Sequence, residues 1–167
     1  MLGDLDRRLL VTMRTRGHGR LVESAARVLG RIGEHGAIWM VTGIALALMD
    51  PANRWEWLLA GLVGPIGIVL NYLVKLVVRR QRPVVPGYPP IGGAPSSLSF
   101  PSAHATSSFA AATAMTRVDA DAAPLFILAF LIVVCRPYLG MHYPSDVIAG
   151  AILGTLLGLV WPIGLVG

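Results

Sequence analysis

Apolar positions fall into two regimes along this chain. From Asp4 to Glu34, Leu5, Leu9, Leu10 and Met13, then Leu21, Val22, Ala25, Val28, Leu29 and Ile32, recur at helical spacing among seven arginines. That pattern predicts one or two amphipathic helices lying in a membrane interface. From Gly36 onward the apolar residues run together in five blocks: roughly Gly36 to Met49, Trp57 to Val78, Ser102 to Met115, Ala122 to Leu139 and Asp146 to Val166. Several are shorter than the ~20 residues an upright span needs. Each helix must therefore extend into its polar flank, the second running on through Lys75. The expectation is an all-α, polytopic membrane bundle of about five transmembrane helices over residues 36–167, preceded by an interfacial segment over residues 1–35. Trp39, Trp55, Trp57 and Trp161 lie near block ends, as interfacial indoles do. There is no internal repeat and no heptad pattern.

One stretch breaks this regularity. Between Arg82 and Pro101, the residues Pro83, Pro86, Pro89, Pro90, Pro95 and Pro101, with Gly87, Gly92 and Gly93, exclude a helix and predict a loop, either a linker or a lid beside a site.

Composition agrees with a bilayer as solvent, since 54% of the 167 residues are hydrophobic and only 14% are charged. The net charge of +5 raises nucleic acid as a partner, but basic residues flanking apolar spans face anionic lipid headgroups more often. No nucleic-acid partner is expected. Cys135, the single cysteine, lies in an apolar run, so no internal disulfide forms. Met1 to Arg20 lacks a continuous apolar core and a small-residue cleavage site, so no removable signal peptide is expected. If the amphipathic segment does not cross, all of the 14 Lys and Arg except Arg54 and Arg117 fall on the side that holds the N-terminus. Positive-inside bias then puts the N-terminus, the Pro-rich loop and the Arg136–Asp146 stretch in the cytoplasm, with the C-terminus outside.

Three polar clusters stand at the ends of different apolar blocks: Lys75-x6-Arg82-Pro83, Pro101-Ser102-Ala103-His104 and Arg136-x5-His142-x3-Asp146. The crossing pattern lands all three on one membrane face, and ionisable groups at membrane depth are costly enough to mark function. Lys75, Arg82 and Arg136 supply fixed positive charge suited to phosphate oxygens. Ser102 follows a proline and precedes a helix-compatible run, so it suits an N-cap, and the helix behind it aims free N–H groups such as that of Ala103 at an anion. Pro144 suits a first helical turn, from which Asp146 can reach back to His142. A carboxylate on one imidazole nitrogen leaves the other free to attack phosphorus. His104 can protonate a leaving alkoxide and then activate water. The chain offers no compact Asp, Glu and His cluster for a divalent ion, so no metal or other cofactor is expected. Arg79 and Arg80 read as snorkelling anchors, and His18 and His35 as structural.

The order K-x6-RP, PS-x-H, R-x5-H-x3-D resembles the signature of the type-2 phosphatidic acid phosphatases, integral membrane lipid-phosphate phosphatases related to vanadium haloperoxidases and bacterial acid phosphatases. The likeness covers roughly Gly36 to Gly167. It implies a helical bundle and metal-independent hydrolysis of a lipid phosphate. It also implies His142 as nucleophile, Asp146 as its partner and His104 as general acid, with Lys75, Arg82, Ser102, Ala103 and Arg136 on the phosphate. The substrate implied is a polyprenyl-linked phosphate, such as decaprenylphosphoryl-5-phosphoribose, or a glycerolipid phosphate. Alternatives are a polyprenyl diphosphate phosphatase, a lipid phosphotransferase, and a non-enzymatic lipid-phosphate binding protein. Nothing in the pattern specifies an oligomeric state. The chain departs from the family in having Ala103 where Gly is common and Cys135 where Ser is common; neither change removes a charge or a proton carrier. Many bacterial relatives carry an additional leading span that puts the site outside; its expected absence here implies a substrate on the cytoplasmic leaflet of the cell membrane.

Overall fold

A computed structural model describes residues 2–93 and 98–164, so Pro95 of the Pro-rich loop and the end of the fifth apolar block lie outside the described residues. Seven α-helices account for the regular structure: α1 (Leu2–Thr15), α2 (Arg20–Ile32), α3 (Ala37–Met49), α4 (Arg54–Val78), α5 (Ala103–Val118), α6 (Leu125–Tyr138) and α7 (Pro144–Val160). Short 3-10 turns lead into α3, α4 and α6. Each of the five expected blocks holds one helix, α3 to α7, and the interfacial segment holds two.

Helix α5 is the axle of the bundle, packing against α4, α6 and α7. Its sequence permits this because Ala105, Ala110, Ala111, Ala112 and Ala114 are fully buried and small enough to bring neighbouring backbones close. Helix α7 answers with Gly150, Gly154 and Gly158, one per turn on one face. A Cβ at Gly150 would fall 2.6 Å from the Ser102 carbonyl oxygen, and one at Gly158 2.6 Å from that of Ala110. Helices α3 and α4 use the same device where Gly43 meets Gly61.

Large apolar side chains instead point outward. Val41, Leu48, Val69, Val77, Phe130, Ile148 and Leu156 are all exposed, whereas Thr106, Ser107 and Ser108 are wholly buried on α5. A small, partly polar interior inside an apolar exterior reverses the soluble-protein arrangement and suits lipid as the solvent.

By length and composition, two helical stretches among the described residues can cross a membrane, Pro51–Val78 and Ala120–Tyr138; a third arises if Arg20–Ile32 and Glu34–Met49, bent by 50°, form one broken span. This is fewer than five because α5 is diluted by buried Ser and Thr, and α7 is a shorter apolar helix. The bend between α2 and α3 falls at His35 and Gly36, both left-handed at φ 57° and 70°.

The indoles differ from expectation. Trp39 is 0% exposed and donates to Ser108 Oγ (3.1 Å), and Trp57 is buried and donates to Asp50 (3.0 Å). Trp39 is a bundle residue, its N–H partnered inside, whereas Trp57 turns its N–H to Asp50 in the α3–α4 turn and Trp55 is exposed.

Candidate active site

Each cluster is delivered by a helix end. Lys75 sits in the last turn of α4, which stops at Arg79 in the left-handed conformation (φ 52°). Arg80 and Arg82 follow beyond the helix, in irregular chain. Ser102 is the residue before α5, with extended backbone (ψ 118°). Arg136 is in the last turn of α6, after which the chain reverses through Gly140 (φ 78°) and returns His142 over the helix end. Pro144 opens α7, and Asp146 in its first turn accepts from the Tyr143 amide at 2.9 Å, closing a capping box. Backbone bonds then tie the pieces together: the Ser102 amide donates to the Asp146 carbonyl (2.9 Å), and the Ser99 amide to that of Arg80 (2.8 Å).

The clusters meet at one cavity of about 220 Å³, lined by Lys75, Arg82, Ala103, His104, Arg136 and His142 together with Gly33, Glu34, His35, Ile68, Asn71 and Tyr72. Ser102 and Asp146 lie behind this wall, both 0% exposed. Three cations therefore face one small space, two of them, Lys75 and Arg136, nearly buried. Of the buried polar atoms without a hydrogen-bond partner among the described residues, three belong to this site: Ser102 Oγ, Arg136 Nε and the acceptor Asn71 Oδ1. Ser102 thus occupies the cap position without using its hydroxyl as a cap. Unpaired buried donors beside buried cations suit an anion that brings several acceptors.

His142 is held from both sides. Its Nδ1 lies 3.5 Å from Asp146 Oδ2, and its Nε2 lies 3.1 Å from Arg82 Nη1. A guanidinium can only donate, so Nε2 holds the lone pair and the proton sits on Nδ1, facing the carboxylate. Burial pushes the His142 imidazole down to about 4, with Arg82 and Arg136 adding to the shift and Asp146 opposing it. His104 places its Nε2 2.9 Å from the Gly30 carbonyl oxygen of α2, which leaves Nδ1 as the ring nitrogen free for proton transfer. Among the described residues no group of three or more His, Cys, Asp or Glu side chains is placed to hold a metal ion.

Four positions read differently in the fold than in the sequence. Arg80 is no lipid anchor: its Nη1 meets Asp146 Oδ1 and its Nη2 meets Asp6 Oδ2, each at 2.7 Å. Burial opposes its charge, yet Asp6 and Asp146 outweigh that cost and raise its pKa. Arg79, by contrast, is exposed and bonds only its own helix end. His35 lines the cavity mouth, whereas His18 has a structural place, stacked on Tyr138 with 4.3 Å between ring centroids. Ser99 and Asn71 complete the site without having been expected. Ser99 Oγ donates to Asp146 Oδ2 (2.5 Å), and buried Asn71 donates to the Pro101 carbonyl (3.2 Å) and Thr106 Oγ1 (2.9 Å), pinning the Pro-Ser turn to α4. A sequence signal existed for Asn71: it is a polar residue in an apolar block, one turn before Lys75 on the same face. Ser99 carries no such signal.

Residues 55–165 match the PAP2 superfamily. The decaprenylphosphoryl-5-phosphoribose phosphatase of Mycobacterium tuberculosis (strain CDC 1551 / Oshkosh) is 41% identical over 137 residues, covering 82% of this chain and 77% of that protein. The undecaprenyl-diphosphatase BcrC of Bacillus subtilis (strain 168) is 36% identical over 65% of this chain and 58% of its own length. Among solved structures, the transmembrane PAP2-type phosphatidylglycerolphosphate phosphatase of Bacillus subtilis superposes with a TM-score of 0.74, covering 95% of this chain and 83% of that one; at 22% identity the likeness is one of fold. With the family matched over most of its length and its three polar clusters gathered at one cavity, the chain belongs to the PAP2 superfamily.

Proposed function

We propose that this chain is a membrane phosphatase that hydrolyses a phosphate ester on a lipid through a phosphohistidine on His142. The observation that carries this reading is the convergence of three cations and two imidazoles on one cavity, with Asp146 behind His142. Lys75, Arg82, Arg136, the Ser102 hydroxyl and the Ala103 N–H bind the phosphoryl oxygens, so the developing charge is met by protein cations and no divalent ion is required. Nε2 of His142 attacks phosphorus as the bond to the lipid oxygen breaks, and His104, entering the step as the imidazolium with Nε2–H on the Gly30 carbonyl, delivers its Nδ1 proton to that oxygen and is left neutral. His104 then takes a proton from water, which attacks phosphorus, breaks the N–P bond and frees inorganic phosphate. Asp146 stabilises the positive charge on His142 while the phosphoryl group is attached.

A polyprenyl-linked monophosphate of the decaprenylphosphoryl-5-phosphoribose kind is the substrate favoured, on the strength of the 41% identity to the phosphatase so named. Glycerolipid phosphates and polyprenyl diphosphates are the alternatives, the latter favoured by the likeness to BcrC. In this reading α3 to α7 cross the cell membrane, α1 and α2 lie in the interface against the active face, and that face is cytoplasmic. The charge count along the chain supports that orientation.

Phosphate release by detergent-purified protein, measured on these lipid classes with EDTA present, tests the reaction. Wild type turns over and is inhibited by vanadate, and His142→Ala loses activity; equal rates for the two proteins would refute the nucleophile assignment. For orientation, a cysteine placed at Tyr88 in a Cys135→Ser background should resist an impermeant thiol reagent in intact cells, and ready labelling would place the loop outside.

A further inference from the structure

Helix α1 turns an unusual face to the rest of the protein. Its buried positions are Asp6, Leu10 and Arg14, one per turn, while Leu5 and Leu9 are exposed. Both charged members grip the segments that carry the reacting groups. Arg14 donates to the Pro89 carbonyl oxygen (2.5 Å) in the Pro-rich loop and lies against Gly140, where an added Cβ would come within 3.1 Å of it. Asp6 accepts from the Ser145 amide (2.9 Å), the Ser145 hydroxyl (2.5 Å) and Arg80 Nη2 (2.7 Å). Arg80 passes the contact on to Asp146, and Asp146 to His142. A continuous chain of polar contacts, Asp6–Arg80–Asp146–His142, thus runs from α1 to Nδ1 of the imidazole whose Nε2 reacts.

We propose that Asp6 is a positioning residue for the phosphatase reaction, acting through Arg80 on Asp146, so that α1 belongs to the working site. The proposal rests on His142 being the nucleophile. Its physical basis is charge balance. His142 gains positive charge when Nε2 binds phosphorus, and the groups facing it are Arg82, Arg136 and His104 as well as Asp146; Lys75 and Arg80 face Asp146 in turn. Glu34 sits at the cavity mouth, against Arg136. Arg80 would offset the carboxylate that His142 depends on were its own charge not shared with Asp6. The same carboxylate fixes the guanidinium plane, which keeps Nη1 on Asp146 Oδ1, and holds Ser145 at the start of α7.

The test uses the full chain in detergent with the lipid phosphate it hydrolyses fastest. Asp6→Asn should lower kcat about tenfold with KM changed less than about twofold, since the residue never touches substrate. In an Arg80→Met background the same substitution should change kcat by less than about twofold, as expected for residues acting as one unit. Independently of turnover, ring-nitrogen shifts of isotope-labelled histidine, assigned with His142→Gln, should show the Nδ1–H tautomer in wild type and a mixture in Asp6→Asn. Should Asp6→Asn not fold, Asp6→Glu replaces it, with a smaller kcat loss and the same tautomer mixing. An equal kcat loss in both backgrounds, or an unchanged tautomer alongside a lowered melting temperature, would overturn the proposal and reduce Asp6 to a structural residue. If wild type hydrolyses no lipid phosphate yet the tautomer responds to Asp6, the link from Asp6 to the His142 ring stands while its service to a phosphatase reaction fails with the reaction assignment.

Discussion

Arg82 Nη1 lies 3.1 Å from His142 Nε2 and 2.6 Å from the Met141 carbonyl oxygen, so one guanidinium orients the imidazole and, in the proposed reaction, also meets a phosphoryl oxygen. A lysine cannot hold two such directions at once. Arg82→Lys is expected to lower kcat/KM by about 10²–10³, the range for losing one preorganised charge-stabilising group. Steady-state phosphate release is the check, and a loss under about threefold would show that this geometry is not used.

Acid should affect this protein in two ways. The unfolded His142 imidazole takes up a proton as pH falls below 6.5, whereas the folded one, depressed by burial, resists until about 4. Between those values the unfolded state binds more protons, so His142 makes stability fall as pH is lowered through that window. With His142 as the proposed nucleophile, the same depression keeps it unprotonated, so its limb of kcat/KM should lie near pH 4. Thermal unfolding and kinetics across pH 4 to 7 test both, and a His142-dependent limb near 6.5 would contradict the second.

Ser99 gives Asp146 a hydrogen bond of 2.5 Å from a fully buried hydroxyl. Bonds to charged groups are worth about 1.5–3 kcal/mol. Ser99→Ala should lower kcat about 10- to 100-fold if that energy is used to hold Asp146 toward His142. A kcat within about twofold of wild type would show that the other Asp146 partners suffice.

Gly154 of α7 packs directly on the Thr106 carbonyl of α5. Gly154→Val should destabilise the bundle by about 1–3 kcal/mol or more. Ile152→Val, on the exposed face of the same helix, should stay within about 0.5 kcal/mol. Unfolding in detergent separates the two, and equal melting temperatures would refute the close α5–α7 contact.

Much of the architecture is legible in the order of residues because lipid exposure makes apolar runs and helix limits coincide. Pro144 at the start of α7, the helix beginning just after Ser102 and the Pro-rich break after α4 are local signals, and the helices obey them. The site clusters were legible for a related reason: charge is rare in such a chain, so Lys75, Arg82, Arg136 and the His142–Asp146 pair stand out. Trp39 misled because its burial is set by a distant neighbour, Ser108, that no local pattern announces.

What the residue order determines alone is the inventory: five apolar helical blocks behind one or two amphipathic helices, one irregular loop, and three polar clusters at helix ends, all dictated by local propensity and hydropathy. What only tertiary structure decides is pairing. Asp6 and Arg80 are 74 residues apart, as are Gly30 and His104; the second pair meets where Gly30 and Gly33 let α2 close on α5 and α6, and the first where α1 docks on Ser145 at the start of α7. Long-range contacts of this kind depend on how faces pack, a property of the assembled bundle. The role of α1 and the partner of Arg80 therefore come into view only in the folded chain.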